Sequence, residues 1–350
     1  MMSFRKKNKK SKFPSELRLD SVSGNWVIIA TNRAKRPETF KQEDSSQEKL
    51  SKEGCPFCEI ETQENPTLVI SKGKEVLCRS WQELPKNWTI VSIPNKYPAF
   101  MPLDKLEKRN QGKLYKKMNA VGFHEVIVTR SHEKQMAQFS VNQIKEVLDV
   151  YQSRYIDLMS EKFVNHISIF HNHGRKAGAS IAHPHSQIIT TPLIDVDLQG
   201  ALSNSRDYYR KEKQCIYCAM NKFEKRNKER IVFENKDFLV ICPFASKTAF
   251  QVIISPKKHL PYFERITEQE KCSLAEAFQK ALKKLFKGLN NPAYNFYLHT
   301  APCDKGDYDY YHWHWTILPK TSFLAGFEIG TQMEISTIEP EKAATYLKKQ

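Results

Sequence analysis

The chain lacks the long apolar run that crosses a membrane, because no stretch of about 18 consecutive apolar residues occurs among its 350 residues. It also lacks the pattern of a secretory signal, since the basic residues within 1–12 are not followed by an apolar segment. These two absences argue against membrane insertion and predict a cytoplasmic protein. The apolar fraction, 40% of the residues, is sufficient for one large core or two ordinary ones.

Acidic residues are fewer than basic ones: 39 Asp and Glu against 55 Lys and Arg give a formal net charge of +16. Such an excess can indicate nucleic-acid binding, but only residues 5–10 form a basic block and the other lysines are scattered. We therefore expect residues 1–13 to be a disordered basic tail and the charge to help attract a phosphorylated small substrate. A zinc-stabilised nucleic-acid-binding module remains the alternative from another class of protein.

Eight cysteines are present, and four of them form two Cys-x-x-Cys pairs, Cys55/Cys58 and Cys215/Cys218. In a cytoplasmic chain this spacing is more typical of metal knuckles or redox centres than of structural disulfides. The two pairs are too far apart for a zinc ribbon, whose knuckles lie about 15 to 20 residues from each other. The pairs are therefore assigned to separate sites.

The two halves of the chain repeat one order of elements: strand, helix, strand, and a strand that carries His-x-His. The first copy comprises a strand at 125–128, a helix at about 141–161, and strands at 166–170 and 183–189. The second comprises a hairpin at 230–242, a strand at 250–254, a helix at about 268–286, and strands at 294–299 and 311–315. Matched features in one order indicate an internal duplication. They predict an α+β fold of two tandem repeats with mostly antiparallel sheets and flanking helices, divided into domains at 14–205 and 206–350.

Each repeat also offers the same four metal-binding side chains: two cysteines on a knuckle, one histidine at a strand end, and the first histidine of His-x-His. Two thiolates and two imidazoles suit a tetrahedral zinc ion, and closed sites of this kind are usually structural. We predict two zinc sites, with iron as an alternative metal in one of them. Their ligands are Cys55, Cys58, His132 and His183 in the first site, and Cys215, Cys218, His259 and His312 in the second.

The segment 183–187, His-Pro-His-Ser-Gln, connects the first metal site with chemistry. Side chains two residues apart on an extended segment point the same way, so one imidazole can bind a metal while the other attacks a phosphate. With His183 on the metal, its carbonyl can accept a hydrogen bond from His185 Nδ1, which leaves His185 Nε2 unprotonated for attack on phosphorus. Gln187 would then hydrogen-bond a phosphoryl oxygen. Two buried structural histidines are the alternative.

A second feature of the same region is a tight loop just upstream. Gly178, Ala179 and Ser180 offer backbone amides that could approach an anion. We expect this loop to contribute to substrate binding.

Five ordered motifs resemble the galactose-1-phosphate uridylyltransferase family of the histidine-triad superfamily, over about residues 14–344. They lie at residues 16–18 with 26–30, 32–37, 54–58, 94–100 and 183–187, and residues 326–328 fit as well. The resemblance implies two tandem histidine-triad-like repeats and a ping-pong reaction. His185 would attack the α-phosphate of UDP-glucose, release glucose 1-phosphate, and pass UMP to galactose 1-phosphate. Gln187 stands where hydrolases of the superfamily keep a third histidine, and a carboxamide, which cannot protonate a leaving group, favours transfer over hydrolysis.

The resemblance further implies a homodimer that binds a nucleotide sugar and a hexose 1-phosphate. Arginine forks suit substrate phosphates. The implied substrate contacts are Arg33 and Arg36 near phosphate, Asn172 and Ser180 near the nucleotide phosphates, Glu328 near the hexose hydroxyls, and Asn95 from the 94–100 motif.

The second repeat departs from the first after its second histidine. His314 is followed by Trp315 and Thr316, where Ser186 and Gln187 follow His185. We predict that His314 is not a second nucleophile. Ser186, where many members have glycine, and the complete second ligand set favour a branch with ADP-glucose phosphorylase-like members. A phosphorylase of ADP-glucose or of a dinucleoside polyphosphate, with inorganic phosphate as acceptor, therefore stays open.

Overall fold

The computed structural model describes residues 15–30, 40 and 52–350. The predicted basic tail and the arginines Arg33 and Arg36 lie outside the described residues. The strands are β1 (Glu16–Leu19), β2 (Trp26–Ile29), β3 (Leu68–Ser71), β4 (Lys74–Val76), β5 (Trp88–Pro94), β6 (Lys108–Gln111), β7 (Tyr115–Met118), β8 (His124–Thr129), β9 (His166–His173), β10 (His185–Thr191), β11 (Ile231–Glu234), β12 (Phe238–Ile241), β13 (Val252–Pro256), β14 (Tyr294–His299), β15 (His314–Pro319) and β16 (Ile335–Ser336). The helices are α1 (Val141–Met159), α2 (Val196–Glu212), α3 (Ile216–Asn227), α4 (Glu268–Leu289), α5 (Gly326–Thr331) and α6 (Pro340–Lys348).

One eleven-stranded sheet runs through both halves in the order β11-β12-β13-β15-β14-β9-β10-β8-β5-β3-β4. Its strands pair antiparallel, and β9 and β14 join the halves at the centre. Counted outward from that join, β9-β10-β8-β5-β3 and β14-β15-β13-β12-β11 follow the same sequence of strands. The duplication and the α+β class with mostly antiparallel sheets are therefore confirmed. A small sheet, β1-β2-β16, and the hairpin β6-β7 complete the described strands.

Helices α1 and α4 cover one face of the large sheet. Each begins at a hydroxyl capping box, Ser140 with Gln143 and Thr267 with Glu270, in which side chain and backbone satisfy each other. Every second strand residue packs beneath these helices, including Ile127, Ile169, Ile188, Phe296, Trp315 and Ile317. Because the period of a strand is two, the intervening residues, His185 and Gln187 among them, point to the opposite face.

The His-x-His strands begin two and three residues later than predicted, at residues 185 and 314. Strands β10 and β15 start at the second histidine of each motif, while His183 and His312 lie in the preceding loops. In the first repeat Pro184 has no N–H to donate to a neighbouring strand. The first histidine of each pair therefore lies off the sheet, where it can turn toward the cysteines.

None of the helices in the described ranges combines the length and apolar character that a membrane span requires.

Candidate functional site

The four ligands predicted for the first metal site lie together. Cys58 Sγ is 3.2 Å from His132 Nδ1 and 3.6 Å from His183 Nδ1, and Cys55 Sγ is 3.7 Å from His183 Nδ1. The four donor atoms all lie within 4.8 Å of one another. Sulfur and nitrogen ligands of a tetrahedral zinc ion are roughly 3.5 Å apart. The cluster therefore has the donor set and spacing to bind a metal ion.

The orientation of His183 supports the same conclusion. Its Nε2 donates to the carbonyl oxygen of Thr129 at 2.6 Å, so the lone pair of the neutral ring is on Nδ1 and faces the cysteines. Burial lowers the pKa of His183 to about 4, which keeps the ring neutral at pH 7. His183 Nδ1 also lies 3.3 Å from His132 Nδ1. Two ring nitrogens and two cysteine sulfurs therefore converge on one point, and a bound cation stabilises such an arrangement.

The second cluster repeats this geometry. Cys218 Sγ is 3.4 Å from His259 Nδ1 and 3.6 Å from His312 Nδ1, and with Cys215 their donor atoms lie within 4.8 Å of one another. Both imidazoles donate Nε2–H to backbone carbonyls, that of His259 to Asp309 at 2.7 Å and that of His312 to Pro256 at 2.9 Å. The hydrogen bond from Cys218, followed by those from the two histidines, lowers the pKa of Cys215. A thiolate and two Nδ1 lone pairs then converge, as in the first cluster.

His185 opens strand β10 beside the first cluster, on the face opposite the helices. Its Nδ1 donates to the carbonyl oxygen of His183 at 2.8 Å, the hydrogen bond expected from the sequence. Within the described part of the chain, His185 Nε2 has no hydrogen-bond partner. The ring of Phe57 lies against His185 with centroids 5.1 Å apart. Burial lowers the pKa of His185.

Gln187 lies two residues along the same strand, next to a histidine that the sequence reasoning missed. His124, the first residue of β8, places Nε2 2.7 Å from Gln187 Oε1. Asn95 joins this group, with Nδ2 3.0 Å from the same nitrogen of His124. The signal in the sequence is a histidine directly before the predicted strand at 125–128, which pairs with β10.

Asn172 is held by a residue from the other repeat. Its Oδ1 accepts a hydrogen bond from Asn295 Nδ2 at 2.7 Å, and the same amino group reaches the carbonyl oxygen of Ala177 at 2.8 Å. Asn172 and Asn295 are direct partners in the β9–β14 pairing that joins the repeats. Sequence reasoning had no signal for this contact, because it exists only where the two repeats meet.

The loop 174–180 uses part of its own hydrogen-bonding capacity. Gly178, with φ of 85°, ends a short 3-10 helix in the left-handed region that favours glycine. The amides of Gly178 and Ala179 donate to the loop carbonyls of Arg175 and Gly174 at 2.9 and 3.3 Å. Of the three residues expected to approach an anion, Ser180 is the one whose polar groups have no partner within the described ranges.

The remaining expected substrate contacts are Arg33, Arg36 and Glu328. Arg33 and Arg36 lie outside the described residues. Glu328 lies on the exposed helix α5, and its carboxylate accepts a hydrogen bond from Ala325 N at 3.1 Å. This contact of Glu328 is local to its own helix.

His314 occupies the place of His185 in the second repeat, in different surroundings. Its Nδ1 lies 3.3 Å from the carbonyl oxygen of His312, longer than the matching distance in the first repeat. The ring of His299 stacks on it at 4.5 Å between centroids. Burial lowers the pKa of His314 to about 4. A cavity of about 860 Å³ opens beside these rings, and Thr316 lines it where Gln187 stands in the first repeat.

Comparisons with known proteins identify the family of the chain. Residues 5–194 match the family described as galactose-1-phosphate uridyl transferase, N-terminal domain, and residues 201–349 match the corresponding C-terminal domain. The ADP-glucose phosphorylase of Arabidopsis thaliana is 30% identical over 95% of this chain and 92% of its own. The galactose-1-phosphate uridylyltransferase of Thermotoga maritima is 27% identical over 95% and 98%.

Solved structures show the same relationship. The crystal structure of the Arabidopsis thaliana ADP-glucose phosphorylase with bound ADP-glucose covers 96% of this chain and 99% of that chain, with a TM-score of 0.78 and 28% identity. A uridylyltransferase structure covers 95% and 97%, with a TM-score of 0.71 and 25% identity. The two family matches together span most of the chain, and the chain belongs to the galactose-1-phosphate uridylyltransferase family of enzymes.

Proposed function

We propose that the chain is a nucleotidyltransferase that moves a nucleoside monophosphate from a nucleotide sugar to a phosphate-bearing acceptor through a covalent adduct of His185. The first candidate reaction is UMP transfer from UDP-glucose to galactose 1-phosphate. Membership of an enzyme family favours this reading over a nucleic-acid-binding module. The observation that carries the proposal is the bond between His185 Nδ1 and the His183 carbonyl.

That bond sets the chemistry of His185. With the proton held on Nδ1, the lone pair is on Nε2, the nitrogen without a partner among the described residues. Attack of Nε2 on the α-phosphorus forms a P–N bond and breaks the P–O bond to the hexose 1-phosphate. Positive charge develops on the imidazole ring, and the His183 carbonyl stabilises it through the Nδ1 proton. An acceptor oxygen then attacks phosphorus and breaks the P–N bond.

Gln187 supports transfer without supplying a proton. Its carboxamide can hydrogen-bond a phosphoryl oxygen but cannot act as a general acid. The departing sugar phosphate is a good leaving group and needs no acid. Water would require activation by a base in the second step. The described residues place no such group beside Gln187 other than His124, whose Nδ1 accepts from Ala99 N and whose Nε2 lies 2.7 Å from Gln187 Oε1. The site therefore suits a phosphate acceptor that is already anionic.

The two Cys/His clusters are proposed to hold zinc, with iron as an alternative in one. A bound zinc ion supplies a structural cross-link at each cluster. In the first cluster, Cys55, Cys58 and His132 would share the ion with His183, and this would fix the carbonyl that orients His185. The metal site and the nucleophile are thereby coupled through one residue.

A second candidate reaction keeps the same nucleophile and uses inorganic phosphate as acceptor. It is favoured by the 30% identity to an ADP-glucose phosphorylase over 95% of the chain. The complete second ligand set of this chain favours the same branch. The donor would then be ADP-glucose and the product ADP.

The deciding experiment incubates the purified protein with UDP-glucose or ADP-glucose labelled at the α-phosphate. A phosphorus–nitrogen bond to histidine predicts label on the protein that acid removes and alkali does not. Chasing the labelled protein with galactose 1-phosphate or with inorganic phosphate then identifies the acceptor. Absence of label with both nucleotide sugars would contradict both candidate reactions.

We also propose that the protein acts as a homodimer with substrate contacts shared between subunits. The segment around α5 exposes apolar side chains next to Glu328: Phe323 is 78% exposed, Leu324 63% and Ile329 68%. Exposed apolar patches of this kind mark protein interfaces. In such a dimer, Glu328 would reach the substrate site of the partner subunit. Within its own chain, the described hydrogen bond of its carboxylate is with Ala325 N.

Mixing two inactive variants tests this arrangement. If Glu328 serves the partner's His185, mixed dimers of His185→Gly and Glu328→Ala contain one intact site and regain activity. Light scattering gives the oligomeric state in the same samples. No recovery in samples shown to exchange subunits would contradict the shared site.

A further inference from the structure

His124 and Gln187 are neighbours on the face of the sheet that carries His185. Strand β8 pairs antiparallel with β10, with His124 opposite Ile189 and Gln187 opposite Val126. Side chains on such diagonal positions are within reach of each other. His124 Nε2 lies 2.7 Å from Gln187 Oε1.

The other nitrogen of His124 decides which way this bond runs. The backbone amide of Ala99 donates to His124 Nδ1 at 3.1 Å. A backbone N–H can only donate, so Nδ1 must carry the lone pair and the proton of the neutral ring is on Nε2. Burial lowers the pKa of His124, against the opposing effect of the Gln187 bond, and this favours the neutral ring. Nε2–H therefore donates to Gln187, whose facing atom is its oxygen.

Asn95 represents the competing arrangement. Its Oδ1 accepts from Tyr97 N at 2.9 Å, which turns Nδ2 toward His124 Nε2 at 3.0 Å. If Nε2 accepted from Asn95, the ring proton would move to Nδ1 and oppose the amide of Ala99. The Gln187 amino group would then face His124 Nε2, and the Gln187 oxygen would face the substrate. His124 Nε2 lies closer to Gln187 Oε1, at 2.7 Å, than to Asn95 Nδ2, at 3.0 Å, and the first arrangement also keeps the bond from Ala99 N, so it is the favoured one.

We propose that His124 is a positioning residue that holds the Gln187 oxygen and turns the Gln187 amino group toward the phosphoryl oxygens of the substrate. The inference rests on the proposed function, in which Gln187 binds a phosphoryl group. An amino group attracts an anionic oxygen and an amide oxygen repels it, so the orientation of Gln187 changes the sign of the interaction.

The second repeat lacks this device. Register places Gln251 where His124 stands in the first repeat, and Thr316 where Gln187 stands. The Gln251 oxygen accepts instead from Lys247 N at 2.6 Å. The histidine and carboxamide pair is therefore specific to the repeat that carries the proposed nucleophile.

Two substitutions separate the roles of the two ring nitrogens of His124. In His124→Gln, the side-chain amide can place a donor near the position of Nε2. In His124→Asn, the shorter amide can accept from Ala99 but does not reach Gln187. We expect the rate at which labelled nucleotide transfers to the protein in a single turnover to fall about 10- to 100-fold in His124→Asn. It should stay within about threefold of wild type in His124→Gln.

The controls distinguish positioning from damage to the fold. Nucleotide-sugar affinity should change less than about threefold in both variants, and His124→Asn should add nothing to Gln187→Ala. His166→Asn is the matched control, since His166 is also a histidine at the first position of a strand and lies beside Asp195 instead of Gln187. It should leave the transfer rate unchanged. A wild-type rate in His124→Asn would overturn the proposal.

Nitrogen-15 spectra of histidine-labelled protein provide a readout that needs no turnover. The signals of His124 are assigned by their absence in His124→Asn. We expect the neutral His124 ring to carry its proton on Nε2. A proton on Nδ1 would overturn the proposal, whatever the activity. Protein that takes no label from any nucleotide sugar would contradict the proposed function, while the ring measurement would still decide the orientation of Gln187.

Discussion

The two repeats share their metal ligands and their order of strands, yet they surround the second histidine of His-x-His differently. Beside His185 stand Gln187 and His124, a polar pair. Beside His314 stand Thr316 and the stacked ring of His299. Phe57 in the first repeat and Tyr217 in the second lie against these histidines at similar distances, 5.1 and 5.0 Å. The difference teaches that duplication preserved the scaffold, whereas the proposed chemistry depends on a few side chains around the second histidine.

The largest expected difference between the repeats comes from removing the second histidine of each His-x-His motif. His185→Gly should abolish nucleotide transfer, because no other described imidazole has Gln187 beside it and a free Nε2. His314→Gly should retain protein labelling within a few-fold of wild type. Equal loss of label in both variants, with both folded by circular dichroism, would mean that the repeats do not differ in this way.

The carboxamide is expected to have the next largest effect. Gln187→Ala should slow transfer by about 10²- to 10³-fold, the usual effect of losing a donor to a developing oxyanion. Thr316→Ala, the matching change in the second repeat, should have little effect on the rate. The measurement is the single-turnover labelling rate at saturating nucleotide sugar, and a rate unchanged by Gln187→Ala would contradict the role given to the carboxamide.

Metal removal should distinguish the two clusters by function. Cys55→Ala and Cys215→Ala should each remove about one metal ion per chain, because a three-ligand site binds zinc less tightly. Both should lower the melting temperature, but Cys55→Ala should also slow transfer by about 10-fold, since His183 orients His185. Elemental analysis with the labelling assay checks this. Full metal content in Cys55→Ala would show that the first cluster is not a metal site.

The smallest effects on nucleotide transfer are expected from the residues of β10 and β15 that point toward the helices. The Ser186 hydroxyl oxygen lies 2.5 Å from Tyr151 OH and 3.2 Å from His171 Nδ1. Trp315, at the matching position of the second repeat, packs on Phe278 with ring centroids 5.3 Å apart. Trp315→Ala should cost about 3–5 kcal/mol of unfolding free energy and Ser186→Ala about 1 kcal/mol. Denaturant unfolding measures both, and a larger cost for Ser186→Ala would reverse the comparison.

Much of the site was predictable because it rests on local sequence patterns. Two knuckles, two His-x-His segments and their matched spacing identified all eight residues of the two Cys/His clusters, and the structure confirms that the donor atoms of each set converge. The hydrogen bond between His185 Nδ1 and the His183 carbonyl oxygen was predictable too, since both residues lie on one short segment. His124 and Asn295 were missed, because they reach Gln187 and Asn172 only across paired strands that are distant in sequence.

The sequence by itself determined the duplication, the α+β class, the residues of the two Cys/His clusters and the candidate nucleophile, because periodicity and spacing are properties of the chain. Tertiary structure alone decided that the two repeats share one continuous sheet, that Asn295 of one repeat holds Asn172 of the other, and that His124 faces Gln187. Strand register sets those contacts, and register depends on how whole faces pack against α1 and α4 rather than on any local pattern.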